Sequence, residues 1–163
     1  MPGTWKTAKE QLEALGGVKS ADDLYAFTNS EHPDVRRAAF KHRLIGAEHI
    51  KTGISSEHPD VRKLAVNHPS IYKLIVQMGR EENWPKALPP LLDIAGELLK
   101  RVGDEPHQGI RNSMMMRLEQ IHSATGKVAE SKRIQLWESW ARLADIRRQM
   151  AEILARESKS YKP

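Results

Sequence analysis

Histidine is the residue type here best suited to chemistry, and five of the seven histidines fall between positions 32 and 68. A metal site is the first chemistry such a cluster brings to mind. The spacing argues against it. His32 and His58 sit in identical heptapeptides, Ser30-Glu31-His32-Pro33-Asp34-Val35-Arg36 and Ser56-Glu57-His58-Pro59-Asp60-Val61-Arg62, offset by 26 residues. His42 and His68 keep the same offset. Equivalent side chains on packed helices stand roughly 10 Å apart, too far to share a zinc ion bound at about 2.0–2.1 Å per ligand. The Asp34/Arg36 and Asp60/Arg62 pairs could be read as a catalytic acid beside an anion clamp. Because they recur identically, a structural role is the better reading.

Other chemistry is excluded or unsupported. There is no cysteine, so disulfides, thiolate metal sites and a cysteine nucleophile are ruled out. No phosphate-binding loop, dinucleotide fingerprint, HExxH helix or GxSxG elbow occurs. The reading is therefore non-enzymatic, with no catalytic residue, no metal and no cofactor expected. The candidate binding residues are basic: Arg37, Lys41, Arg43, Lys63 and Lys73 lie off the apolar helix faces and could line one surface, as phosphate contacts require. Trp137 and Trp140 are candidate interface anchors on a later helix, with a place in the core the favoured reading. The run Met114-Met115-Met116 cannot face one core throughout and could offer an adaptable apolar contact, with core packing the favoured reading.

The net charge of +5 permits nucleic acid or an acidic protein as partner. It is spread evenly, with 13 basic against 11 acidic residues in 1–86 and 13 against 10 in 87–163. At 163 residues the chain is long enough to bury a core without metals or disulfides. No stretch has the length and apolarity of a membrane span, and Met1-Pro2-Gly3-Thr4-Trp5-Lys6 lacks a secretory core. Cytoplasmic residence is expected.

The elements that position these residues follow from the duplication. Each copy reads as a turn and then a helix. Proline is tolerated in a first helical turn, aspartate suits the positive helix end, and Ser30 and Ser56 are placed to cap it. Val35, Ala38, Ala39 and His42 then share one face, as do Val61, Leu64, Ala65 and His68. A worn third copy shows in Glu82-Asn83-Trp84-Pro85-Lys86-Ala87. One such unit cannot bury its stripe alone, and stacked units can. Helices are expected over 21–28, 33–43, 47–54, 59–67, 70–80, 88–102, 108–124 and 128–157, with no sheet. The last, free of internal Gly or Pro, carries a seam of Leu136, Trp140, Leu143, Arg147, Met150 and Leu154 that packs on other helices in the chain or on a partner; Arg147 argues against an uninterrupted coiled coil.

The strings HPDVRRAAF and HPDVRKLAVNHP resemble HEAT-like repeats, most closely the leucine-rich variant (LRV) subclass, over about residues 20–90. That resemblance implies a curved helical array binding proteins or nucleic acids along one face. Members of the subclass can carry an N-terminal iron–sulfur module, which a chain without cysteine lacks. The expected organisation is all-α: a short HEAT/LRV-like solenoid over 1–87 and a C-terminal helical region over 88–163. The leading expectation is a scaffold that binds a protein or self-assembles through its C-terminal helix. A nucleic-acid-binding protein using the basic face is the first alternative, and a HEAT-like base-excision enzyme the second.

Overall fold

The computed structural model describes residues 6–131 and 138–160. Among them there is helix and no strand, and no helix is long and apolar enough to cross a membrane. The chain divides into two compact units, residues 1–68 and 69–163. The change of pattern at Leu88 falls inside a helix of the second unit.

The first unit contains α1 (Ala8–Gly16), α2 (Leu24–Thr28), α3 (Pro33–Phe40), α4 (Ala47–Ile54) and α5 (Pro59–Val66). The sequence reading had no helix at α1. It is started by a reciprocal cap: Glu10 N–H donates to Thr7 Oγ1 at 3.2 Å, and Thr7 N–H to Glu10 Oε2 at 3.3 Å. The two repeat copies behave alike. Pro33 and Pro59 each occupy the first turn, behind His32 and His58 in the same extended conformation. Neither helix continues to the expected position; α3 ends at Phe40 and α5 at Val66. The serines cap the turn rather than the helix: Ser30 Oγ accepts from His32 N–H at 3.1 Å, and Ser56 Oγ from His58 N–H at 3.2 Å. Helix α2 packs on α3 and α4 on α5; α2 also meets α4, and α3 meets α5. Val35, Ala39, Val61 and Ala65 are buried, which is why the stripe was readable as a core face.

Gly53 sets how closely α4 approaches its neighbours. A Cβ there would lie 2.8 Å from Ala65 Cβ and 2.9 Å from the Phe40 ring. Glycine weakens a helix interior by about 0.5–1 kcal/mol against alanine; here close packing of α4 on α5 and on Phe40 compensates.

The second unit contains α6 (Pro69–Gln77), a short 3₁₀ turn (Glu81–Asn83), α7 (Trp84–Val102), α8 (Gln108–Ala124), α9 (Gly126–Glu130) and α10 (Ser139–Ser160). Helix α7 does not start at Pro89-Pro90, as expected, but at Trp84, with Pro85 in its first turn and Pro89 and Pro90 inside. Interior proline normally breaks a helix. Here Trp84, Ala87, Leu88, Leu91, Leu92, Ile94, Ala95, Leu98 and Val102 are all buried, and that burial outweighs the lost backbone bonds. The proline of the worn third copy thus lies in a first helical turn, as Pro33 and Pro59 do, but one position further in.

The expected single helix over 128–157 is two helices. The chain leaves α9 at Ser131 in an extended conformation, and α10 begins at Ser139. Leu136, the first member of the expected seam, lies outside the described residues. Leu143, Ile146 and Met150 form the buried stripe of α10, and Leu154 is half-buried. Arg147, the charge within that seam, donates from Nη1 to the His122 carbonyl and, at 2.8 Å, to Thr125 Oγ1. A guanidinium there serves a carbonyl in the last turn of α8 and suits the helix's negative pole.

Candidate interaction surfaces

The repeat copies direct their reactive groups inward. Arg36 is buried and donates from Nε to Asp60 Oδ2 at 2.9 Å, from Nη2 to Asp60 Oδ1 at 3.0 Å, and from Nη1 to the Ser30 carbonyl at 2.7 Å. Arg62, its counterpart, donates from Nη1 to the Ser56 carbonyl at 2.9 Å and to that of Glu57 at 3.1 Å. Burial by itself raises the Asp60 carboxyl, but the hydrogen bonds and charge of Arg36, with backbone N–H groups, hold it below the ordinary carboxylate value. Asp34, at the matching position, is 77 % exposed and pairs with the exposed Arg37 at 3.6 Å. A single Arg–Asp link, Arg36 to Asp60, therefore joins one copy to the next across α3 and α5.

The histidines are bound up in the same way. A carbonyl only accepts, so His49 Nε2 carries the proton that it gives to Ala21 O at 2.8 Å, while Nδ1 accepts from Gly46 N–H at 3.1 Å. His68 Nε2 likewise donates to Phe40 O at 2.9 Å. Burial pushes the His68 pKa down, and the bond to Phe40 opposes that shift only in part. His42 Nδ1 accepts from Leu44 N–H at 3.2 Å. Among the described residues no three His, Asp or Glu side chains converge to hold a metal ion.

The surface of the first unit carries exposed charges of both signs, the candidate basic residues among them. Arg37 and Lys63 hold the same place in α3 and α5, which pack together, and both are exposed. Lys41 and Arg43 are exposed just beyond α3. Lys73 is exposed too, but on α6 of the second unit. Trp140 is half-buried on α10, and Trp137 lies outside the described residues.

The second unit shows features that the sequence reading missed. In the α7–α8 turn the Glu105 side chain is fully buried. It accepts from His107 N–H at 3.1 Å, has His107 Nδ1 at 3.2 Å and Arg101 Nε at 3.9 Å. This ties the turn shut. Ile71 on α6 and Met78 just beyond its end are buried, yet Tyr72 and Val76 on α6 are 59 % and 57 % exposed. On α8, Met114 is buried, Met115 half-buried and Met116 exposed. Three of the four large apolar side chains exposed among the described residues, Tyr72, Val76 and Met116, thus lie on α6 and α8. A hydropathy pattern does not mark such residues, because an exposed Tyr or Val reads as part of a broad apolar stripe. Compared with protein-family models, with curated proteins and with solved structures, the chain matches none.

Proposed function

We propose that the chain is a non-catalytic interaction scaffold that binds a protein partner or assembles into a larger complex. The observation that carries this reading is the exposed apolar pair Tyr72 and Val76, one turn apart on α6, with Met116 exposed on α8, since large apolar side chains left outside on a shared helix face mark contact sites. The burial of the repeated Arg36 and Arg62, held by backbone carbonyls and by Asp60, fits it as well. In this reading the duplicated helix pairs are HEAT-like repeats of the LRV kind, supported by the like-with-like packing of α2 with α4 and α3 with α5. Purification of the full chain from its native source, beside a Tyr72→Ser/Val76→Ser variant, tests it. A partner retained by the parent and lost by the variant is expected. A chain that purifies alone and does not self-associate overturns the scaffold.

The exposed basic residues of the first unit favour a second reading, in which a nucleic acid lies along Arg37, Lys41, Arg43 and Lys63. Phosphate contacts weaken with salt, log K falling by about 0.7–0.9 per neutralised phosphate against log salt. A gel-shift titration at two salt concentrations, with Arg37→Glu/Lys63→Glu alongside, decides it. Binding that is salt-dependent and lost in the variant supports this reading; no binding at low salt eliminates it.

A further inference from the structure

The exposed side of α6 carries Tyr72, Lys73 and Val76, and that of α8 carries Met116 and Glu119. Positions 72 and 76 are one turn apart and share a face. Helix α6 packs on α8, and between them runs a groove of ≈ 480 Å³ bordered by Tyr72, Ile75, Glu119 and Ala124. A second groove, of ≈ 430 Å³, lies on the other side of Glu119 between α8 and α10, lined by Met115, Met116 and Leu154. Glu119 is common to both grooves. Neither Lys73 nor Glu119 engages an ionic partner among the described residues. The face therefore combines an apolar pair, an uncommitted cation on one helix and an uncommitted anion on the other.

We infer that this face docks a second copy of the chain, α6 of each copy lying against the α6–α8 groove of the other. In a two-fold contact each residue that meets a partner residue is met in return, so the face must complement itself. This one does. A docked partner has to supply an anion for Lys73 and a cation for Glu119, together with apolar side chains between them. A second copy supplies all three at once, and each dimer then contains the Lys73–Glu119 pair twice. This inference rests on the scaffold reading and names its partner.

Sedimentation of the full chain over about 1–500 µM, spanning the range in which modest interfaces populate, tests it. The parent chain is expected to pass from monomer to dimer. Val76→Asp, Lys73→Glu and Glu119→Lys should each weaken the dimer about tenfold or more, as like charges or a bare carboxylate meet at the contact. Lys73→Glu and Glu119→Lys combined in one chain should restore association toward that of the parent. All three positions are exposed, so thermal unfolding should be unchanged and serves as the control for folding. A monomer throughout the range overturns the inference, as does a dimer indifferent to Val76→Asp or a double reversal no tighter than the single ones. If the chain is monomeric but retains a native partner, self-docking alone fails. If it is monomeric and retains nothing, the scaffold reading fails with it.

Discussion

Replacing Asp60 by alanine removes the acid that joins the two repeat copies, and the outcome follows from how differently the two partners are exposed. The Arg36 side chain is 7 % exposed and that of Asp60 40 %. Asp60→Ala strands a guanidinium almost out of reach of water, keeping only its bond to Ser30 O. Stranding a buried charge costs about 3–5 kcal/mol. The retained bond places this case at the lower end, about 3 kcal/mol. Arg36→Met keeps the aliphatic stem and leaves a carboxylate that water can solvate, with one carbonyl short of a donor. That loss is about 1–2 kcal/mol. The double variant should cost less than the sum, because each single change already breaks the pair. Urea unfolding followed by circular dichroism measures all three. A pH arm adds an independent check. The folded Asp60 carboxyl titrates below its unfolded value, so its contribution is complete above the unfolded pKa and is lost as pH falls through the folded one. The gap between the parent chain and Arg36→Met should therefore narrow below about pH 4. The reasoning is refuted if Arg36→Met costs more than Asp60→Ala, if either costs under about 0.5 kcal/mol, or if the gap ignores pH.

Further expectations follow from single contacts. Gly53→Ala should destabilise by about 1 kcal/mol, since overpacking against Ala65 and Phe40 outweighs the helix gain; a higher melting temperature would contradict the close approach. Trp84→Phe removes the buried Nε1–H donor to Met78 O, held at 2.9 Å, and should cost about 1–2 kcal/mol; an unchanged urea midpoint would show that the bond contributes nothing. His68, whose pKa burial lowers, favours the neutral form when folded. Its contribution is complete above the unfolded pKa and falls away as pH drops below about 6.5 toward the lower folded value. An NMR titration placing His68 at or above the ordinary histidine value would reject this.

The helices of the two repeat copies were readable because three signals coincide there: a proline, an acid beside it, and an apolar stripe of helical period. Helix α1 was readable as well, from Thr7 and Glu10 spaced as a capping box, but its short apolar content drew no attention. The start of α7 at Trp84 was obscured by Pro89 and Pro90, which locally argue for a boundary and are overruled by burial along the helix. The interruption after Glu130 had no local marker, since no Gly or Pro lies between 128 and 157. Among the candidate site residues, the exposure of Arg37, Lys41, Arg43 and Lys63 follows from their positions off the stripe. The exposed Tyr72 and Val76 were not legible, because which apolar residue a helix leaves outside depends on neighbours distant in sequence.

The Arg36–Asp60 link has a direction: the earlier copy gives the arginine and the later one the acid. Stepping 26 residues back from Arg36 reaches Glu10, and 26 forward from Asp60 reaches Lys86. Both flanking positions carry the charge opposite to the one the link needs. The flanking sequence therefore closes the ladder at both ends. A duplicated unit, by contrast, brings both halves of a rung with it: placed before the first copy, its arginine would stand toward Asp34 as Arg36 stands toward Asp60, and placed after the second, its acid would stand toward Arg62 in the same way. Each added heptapeptide thus adds one rung wherever it enters the array.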